Sequence, residues 1–402
     1  MKDGDVKKAV VLLGAGFAQS FGGPSSDDLF KTIIKKSKNE GVSLPDLILS
    51  KLDNYYGKDN YNFETYIAVL EAIETFVNSY TAGNQRSPSE SSVNPSVFKI
   101  DEEILQAIKD DVQGKNHSPS FLFRDLIELC ILAIITACHY DCQYNVIDNK
   151  DIQQNKYLFL KFVRAMLNQG YTLKFYTTNY DRLIPEILRD TDFEIEEGFE
   201  RCVPDTFSDK VECTNGFNVI RDDFPFHYDM RRFCNAKISH FNLHGSKYLN
   251  YKEGNIIYSS SESPWRITEY LPVDGGNPNG ELYFRRIIVG GAKTQRVFSQ
   301  PFAFGFNTFA YDCNTCCNFF SFGYSFRDPH INATIGMHLK GDVKFECIVK
   351  DRIAIDRHTP DFLQHLSQKS EYQFEDKSGI IREHTDGIES YLKREGYLSV
   401  LN

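Results

Sequence analysis

Four short polar clusters in this chain carry residue types that can do chemistry together. They are Gly14-Ala15-Gly16-Phe17-Ala18-Gln19-Ser20, Thr177-Thr178-Asn179-Tyr180-Asp181, His244-Gly245-Ser246 and Gly323-Tyr324-Ser325-Phe326-Arg327-Asp328. A Gly-x-Gly loop lets a backbone approach a pyrophosphate, and a helix that follows it offers N–H groups and a positive dipole end. An asparagine amide donates and accepts hydrogen bonds and has no charge to neutralise. A histidine, with an ordinary pKa of about 6.5, can take up and return a proton near neutral pH. Each cluster also has a plainer reading: a tight turn, an Asn that holds the turn before a helix, a structural His. One such cluster would be a turn. Four on one rim make a site the better explanation.

The elements that must position them are read from periodicity. Five apolar, β-branched or aromatic runs have the character of buried parallel strands: Ala9–Leu13, Tyr171–Tyr176, Ile238–Leu243, Asn318–Phe322 and Val343–Val349. Ile287–Val289 is a sixth candidate. Phe63, Tyr66, Ile67, Leu70, Ile73 and Val77 follow the spacing of one buried helix face. Phe121–Cys138 predicts a central helix, Tyr157–Leu167 another ending at Gly170, and Gly387–Leu398 a C-terminal one. Thr81–Ser96 has the composition of an exposed loop, and 200–236 and 250–283 that of irregular lids or insertions. The expected fold is α/β: a Rossmann-like doubly wound parallel sheet with a helical insertion between the first and second strands. The expected organisation is one domain over 1–350, its insertion over about 40–168, and an extension over 351–402. Ligands of such sheets bind outside the carboxyl ends of the strands. Each of the four clusters follows one of the five runs at that end.

Composition narrows the function class. The 402 residues are 41% hydrophobic and 25% charged, an ordinary globular balance. A net charge of -10 repels phosphate backbones and disfavours direct binding of nucleic acid. The acidic start Met1-Lys2-Asp3-Gly4-Asp5 does not resemble a secretory signal, and Leu129–Cys138 is too short to cross a bilayer. Ten cysteines without a spaced framework suggest reduced thiols in a cytoplasmic protein. Cys313 and Cys316 form a Cys-x-x-Cys pair beside Cys317, but no second pair follows, and no metal is expected there or elsewhere in the chain. The dehydrogenase fingerprint would need a third glycine where Gln19 stands, and an acidic residue after a second strand. Asp27 and Asp28 sit at a helix start, where capping is the reading. Hydride transfer is disfavoured.

Five segments together resemble the sirtuin-like superfamily, and more narrowly the sirtuin-like NAD hydrolases of bacterial anti-phage defence. They are GAGFAQSFGGP at 14–24, NFETY at 62–66, FYTTNYDRLI at 175–184, NLHGS at 242–246 and SFGYSFRDPHIN at 321–332. Two features depart from the pattern: Ala18 replaces the usual serine, and the zinc ribbon of the deacetylase branch is missing. The resemblance implies an NAD+ glycohydrolase that depletes NAD+ in defence, with NAD+ as substrate. It implies that Asn179 orients the ribose and the attacking water, and that His244 is the general base. Gly14, Ala15, Gly16, Phe17, Asp181, Gly323 and Ser325 would bind NAD+. Asp181 would contact the nicotinamide amide or cap the helix that follows. Asp328 would bind ribose or cap a helix, and His330 would support that helix. Glu64 reads as structural, and Lys293 as a solvated loop lysine or else a phosphate contact. The implied partners are copies of the same chain and a HerA-like ATPase in trans, or alternatively a short Argonaute. The competing functions are a sirtuin-type protein deacylase and a non-catalytic module that binds NAD or ADP-ribose.

Overall fold

The computed structural model describes residues 7–38, 43–58, 60–85, 102–115, 119–138, 149–189, 191–199, 223–225, 227, 229–252, 255–259, 268–271, 282–291, 293–340, 342–350 and 381–398. Among the described residues there are eleven strands: β1 Lys7–Leu13, β2 Tyr171–Thr177, β3 Asp223–Pro225, β4 Ile238–Asn242, β5 Leu249–Lys252, β6 Asn255–Ser259, β7 Thr268–Leu271, β8 Leu282–Arg285, β9 Asn318–Phe322, β10 Lys344–Ile348 and β11 Ile381–His384. Six of them form one sheet in the order β11-β10-β9-β1-β2-β4, and every pairing in it is parallel. Counted along the chain, its strands lie in the order 3-2-1-4-5-6 from the β4 edge. The chain therefore starts in the middle of the sheet, builds one half outward, then returns and builds the other. The direction reverses between β1 and β9.

Helices cover both faces of this sheet, which is why inner strands such as β1 and β9 read as largely apolar runs. Ala9, Val10, Val11 and Leu12 of β1 are fully buried. Neighbouring strand residues point to opposite faces, and β2 shows both. Phe175 meets Phe159 of the Lys150–Asn168 helix at 5.9 Å between ring centroids. Tyr176 meets Phe309 of the Phe302–Thr315 helix at 4.8 Å. The second helix is also held by charge. Asp312 accepts from Lys8 at 2.6 Å and from the Tyr176 hydroxyl at 2.6 Å.

Contacts divide the chain into two compact units. One comprises 1–23, 138–287 and 297–402; the other comprises 24–137 and 288–296. The first holds the parallel sheet, a small antiparallel sheet of β3, β6 and β5, and the antiparallel pair β7 and β8. The second is helical, with long helices at Ser26–Lys38, Leu44–Tyr56, Phe63–Gln85, Glu102–Lys115 and Pro119–Ala137. Phe63, Tyr66, Ile67, Leu70, Ile73 and Val77 are all buried, as their spacing requires. The Ser26–Lys38 helix begins with a reciprocal cap: Ser25 Oγ accepts from the Asp28 N–H at 3.1 Å, and Asp28 accepts from the Ser25 N–H at 3.3 Å. No helix among the described residues is long and apolar enough to cross a membrane.

Several expectations change. Ile287–Val289 is no strand; only Ile287 makes an isolated bridge, to Gly245. The sixth strand of the sheet is β11, so the expected extension over 351–402 contributes to the sheet itself. Its Gly387–Lys393 helix places Tyr391 against Phe322 at 6.0 Å. The Lys150–Asn168 helix, expected inside the insertion, belongs to the sheet unit. The expected loop Thr81–Ser96 is helical through Gln85, and the rest lies outside the described residues. Within 200–236 and 250–283 the described residues form strands and the Met230–Asn235 helix rather than irregular chain.

Candidate functional site

The loops after β1, β2, β4 and β9 meet at the carboxyl rim. The centre of this meeting is three glycines. A Cβ on Gly14 would lie 2.5 Å from the Gly323 carbonyl oxygen, and one on Gly323 would lie 2.3 Å from the Phe17 nitrogen. This contact spends the N–H groups that the sequence assigned to a phosphate. Gly14 N–H donates to Phe322 O, Gly16 N–H to Gly323 O and Phe17 N–H to Gly14 O, each at 3.0 Å. The glycines thus serve the close approach of one protein backbone to another. The Phe17 ring is core, packed on Phe21 and Phe159 at 5.0 and 5.1 Å, so it is not presented to a ligand. Ala15 and Ser325 are exposed and Gly16 and Gly323 are partly so, which leaves these four as the reachable small residues of the expected set.

Asn179 follows β2 by two residues and ties two loops together. Its Nδ2 donates to Gly14 O at 3.1 Å, and its own carbonyl accepts from Asn242 Nδ2 at 2.8 Å. A carbonyl can only accept, so Gly14 fixes the amide orientation and leaves Asn179 Oδ1 as an acceptor without a hydrogen bond among the described residues. Asn242 Nδ2 also donates to Asp181 O at 2.8 Å. Asp181 is buried, and its Oδ1 accepts from Leu183 N–H at 2.9 Å at the start of the Leu183–Leu188 helix. That bond secures the start of the helix, whose N-cap residue is Arg182.

His244 follows β4 by two residues. It is 1% exposed, and its Nε2 lies 2.8 Å from Nε2 of His330. Two imidazole nitrogens at this distance hold one proton between them. Gly245 has φ +82°, and a Cβ there would lie 2.1 Å from Arg286 O, so only glycine lets the loop turn after His244. Asp328 stands at the N-cap of the Pro329–His338 helix but makes no side-chain cap bond. Instead one of its carboxylate oxygens and one nitrogen of each of His244 and His330 lie within 4.8 Å of one another. The sequence reading gave His330 only a supporting part. The signal that could have raised it is Asp328-Pro329-His330, two donor residues either side of a proline that starts a helix.

A second polar group adjoins the Asn179 loop. Arg182 pairs with Glu197 at 2.8 Å, and His240 Nδ1 lies 3.8 Å from the same carboxylate. Burial alone would raise the Glu197 carboxyl, but the Arg182 charge and hydrogen bond, with His240 close by, outweigh it and hold it down to about 2. Glu197, Phe199, His240, Phe241, Asn242 and Ser246 bound a small cavity here. A depressed carboxyl stabilises the fold above its unfolded pKa, and that contribution is lost as pH falls from about 4.5 toward 2. Glu197→Gln is therefore expected to lower stability at pH 7 by up to about 3 kcal/mol. The deficit should shrink steadily in urea titrations repeated toward pH 3. An equal deficit at both pH values would show that the charge is not its source.

The remaining candidates are structural. Lys293 is buried, not solvated, and pairs with Glu64 at 2.5 Å inside the helical unit. Burial pushes the Cys316 thiol up to about 12 and Cys313 well above its ordinary value, which disfavours thiolates. Cys316 and Cys317 donate instead to the carbonyls of Cys313 and Lys8. No protein-family model and no curated protein sequence matches the chain.

Proposed function

We propose that the chain is an NAD+ glycohydrolase, releasing nicotinamide and ADP-ribose. The observation that carries this reading is the Asn179–Gly14 hydrogen bond. It joins the β2 loop to the β1 loop beside the point where the strand order reverses, where doubly wound sheets bind dinucleotides. The 3-2-1-4-5-6 order is that of Rossmann-like sheets, and it supports the finer fold reading. Ala15, Gly16, Gly323 and Ser325 are small and at least partly exposed, which suits close approach of the adenosine and phosphates.

In the proposed reaction the bond between ribose C1′ and nicotinamide breaks. Its electron pair leaves with nicotinamide, which departs neutral from a cationic ring. Water bonds to C1′ and gives its proton to His244. The transition state has oxocarbenium character, as in glycoside hydrolysis. Asn179 Oδ1 is suited to hold a ribose hydroxyl or the water. His330 is suited to set the tautomer: where its Nε2 accepts from His244 Nε2–H, the basic lone pair of His244 is on Nδ1. The burial of His244 favours a second reading, an NAD or ADP-ribose binding module without turnover.

The deciding experiment incubates the purified chain with NAD+ and follows free nicotinamide, alone and with a HerA-like ATPase or a short Argonaute. Nicotinamide release without any acyl-lysine peptide is expected, which also separates hydrolysis from deacylation. Binding of NAD+ with no release under any of these conditions would establish the second reading instead. Defence by NAD+ depletion and control through homo-oligomers or an ATPase partner belong to the same proposal. Mass photometry of the chain with each partner tests that part.

A further inference from the structure

We propose that His244, His330 and Asp328 form a binding site for one divalent transition-metal ion, zinc by preference. The donor set is two imidazoles and a carboxylate, which is the composition of zinc sites that keep one position open. The three ligand atoms already lie within 4.8 Å of one another. Tetrahedral zinc with bonds of about 2.0–2.1 Å separates its ligand atoms by roughly 3.3 Å. The two Nε2 atoms stand at 2.8 Å, so loading requires only a small parting of the rings. The cation would take the place of the hydrogen bond between the two rings.

The backbone around the donors is fixed in advance of any ion. Asp328 and His330 flank Pro329 at the first turn of one helix, where the proline ring sets the local φ. Asn332 on the next turn donates to Phe326 O at 2.6 Å and accepts from the Tyr324 hydroxyl at 3.4 Å. These bonds hold Phe326 at φ +57°, a conformation that a bulky residue adopts only when its surroundings impose it. His244 enters from a different strand, on a loop clamped by the Ser246 N–H to Arg286 O bond of 3.1 Å.

The consequence for turnover rests on the hydrolase reading. A metal on His244 Nε2 leaves the ring proton on Nδ1 and removes the basic lone pair. The metal-loaded chain is then silent, and withdrawal of the metal switches it on.

The test uses the full chain stripped with a chelator. Zinc is titrated against a chromophoric competitor, and cobalt(II) is added separately as a spectroscopic probe. A single zinc ion per chain is expected, and a cobalt spectrum without a thiolate charge-transfer band. His330→Ala and Asp328→Asn should each weaken zinc at least about tenfold. Zinc should raise the Tm of the wild type and not of these variants. Wild-type zinc affinity in both variants, or a thiolate band from cobalt, would overturn the site. The cobalt spectrum of the wild type decides even where a variant fails to fold. Zinc binding by a chain that never releases nicotinamide keeps the site and removes the hydrolase reading. Release that continues with zinc fully bound removes the silencing.

Discussion

Alanine in place of His244 is expected to lower nicotinamide release from NAD+ by about 10²–10⁴-fold, the range that a positioned proton acceptor contributes. The loss should fall on kcat, because an imidazole that takes a proton only during bond formation adds little to ground-state binding. His244 is 1% exposed and bonded to His330, so truncation also removes packing. His244→Gln separates the two effects. Its amide can still donate to His330 Nε2 and fill much of the space, yet it cannot act as a base. A Tm close to the wild type with a rate as low as in His244→Ala is the expected pair of results. Asn179→Asp should behave differently. A carboxylate cannot donate to Gly14 O, so the β1 and β2 loops lose their 3.1 Å link and KM should rise along with the fall in kcat. Rates within about threefold of wild type in both His244 variants would remove the proposed base, since that is far below the range expected of one.

How far the fold was legible depended on burial. Ala9–Leu13 and Asn318–Phe322 were readable because helices cover both faces of the sheet, and no position had to be polar. Ile381–His384 was not readable. It is an edge strand of sequence Ile-Arg-Glu-His, and three polar residues in a row have nothing in common with a buried run. Ile287–Val289 has the apolar run but, among the described residues, no partner strand beyond the single bridge to Gly245. The rim was legible as a place, since all four clusters do follow sheet strands. Its internal wiring was not. Gly14 and Gly16 announce a close backbone approach, but a sequence does not say whose backbone approaches, and here it is that of Gly323. The same blindness affected His330 and Lys293. Each gained its meaning from a residue far away in the chain, His244 and Glu64 respectively. Asp181 was the opposite case. Its partner is two residues on, and capping was one of the two roles its position allowed.

Gly323→Ala should be among the most damaging single substitutions on the rim, and Gly170→Ala measures why. Both glycines have positive φ, +63° and +81°. For any L residue that conformation costs roughly 1–2 kcal/mol. At Gly170 the added methyl meets nothing within 4 Å, so the conformational cost stands alone. At Gly323 the methyl would lie 2.3 Å from the Phe17 nitrogen and 2.5 Å from the Gly16 carbonyl carbon. Both are backbone atoms at the start of the helix that follows β1, and neither can swing aside as a side chain does. The β9 loop must withdraw, which breaks the 3.0 Å bond from Gly16 N–H to Gly323 O and loosens the mating of Gly14 with the same carbonyl. The expected total is on the order of 4 kcal/mol, against about 1–2 kcal/mol for Gly170→Ala. Urea denaturation of the two variants beside the wild type gives the difference directly. A Gly323→Ala protein no less stable than Gly170→Ala would mean that the loops after β1 and β9 do not touch in solution. The rim would then lack the contact on which the placement of Asn179 against Gly14 depends.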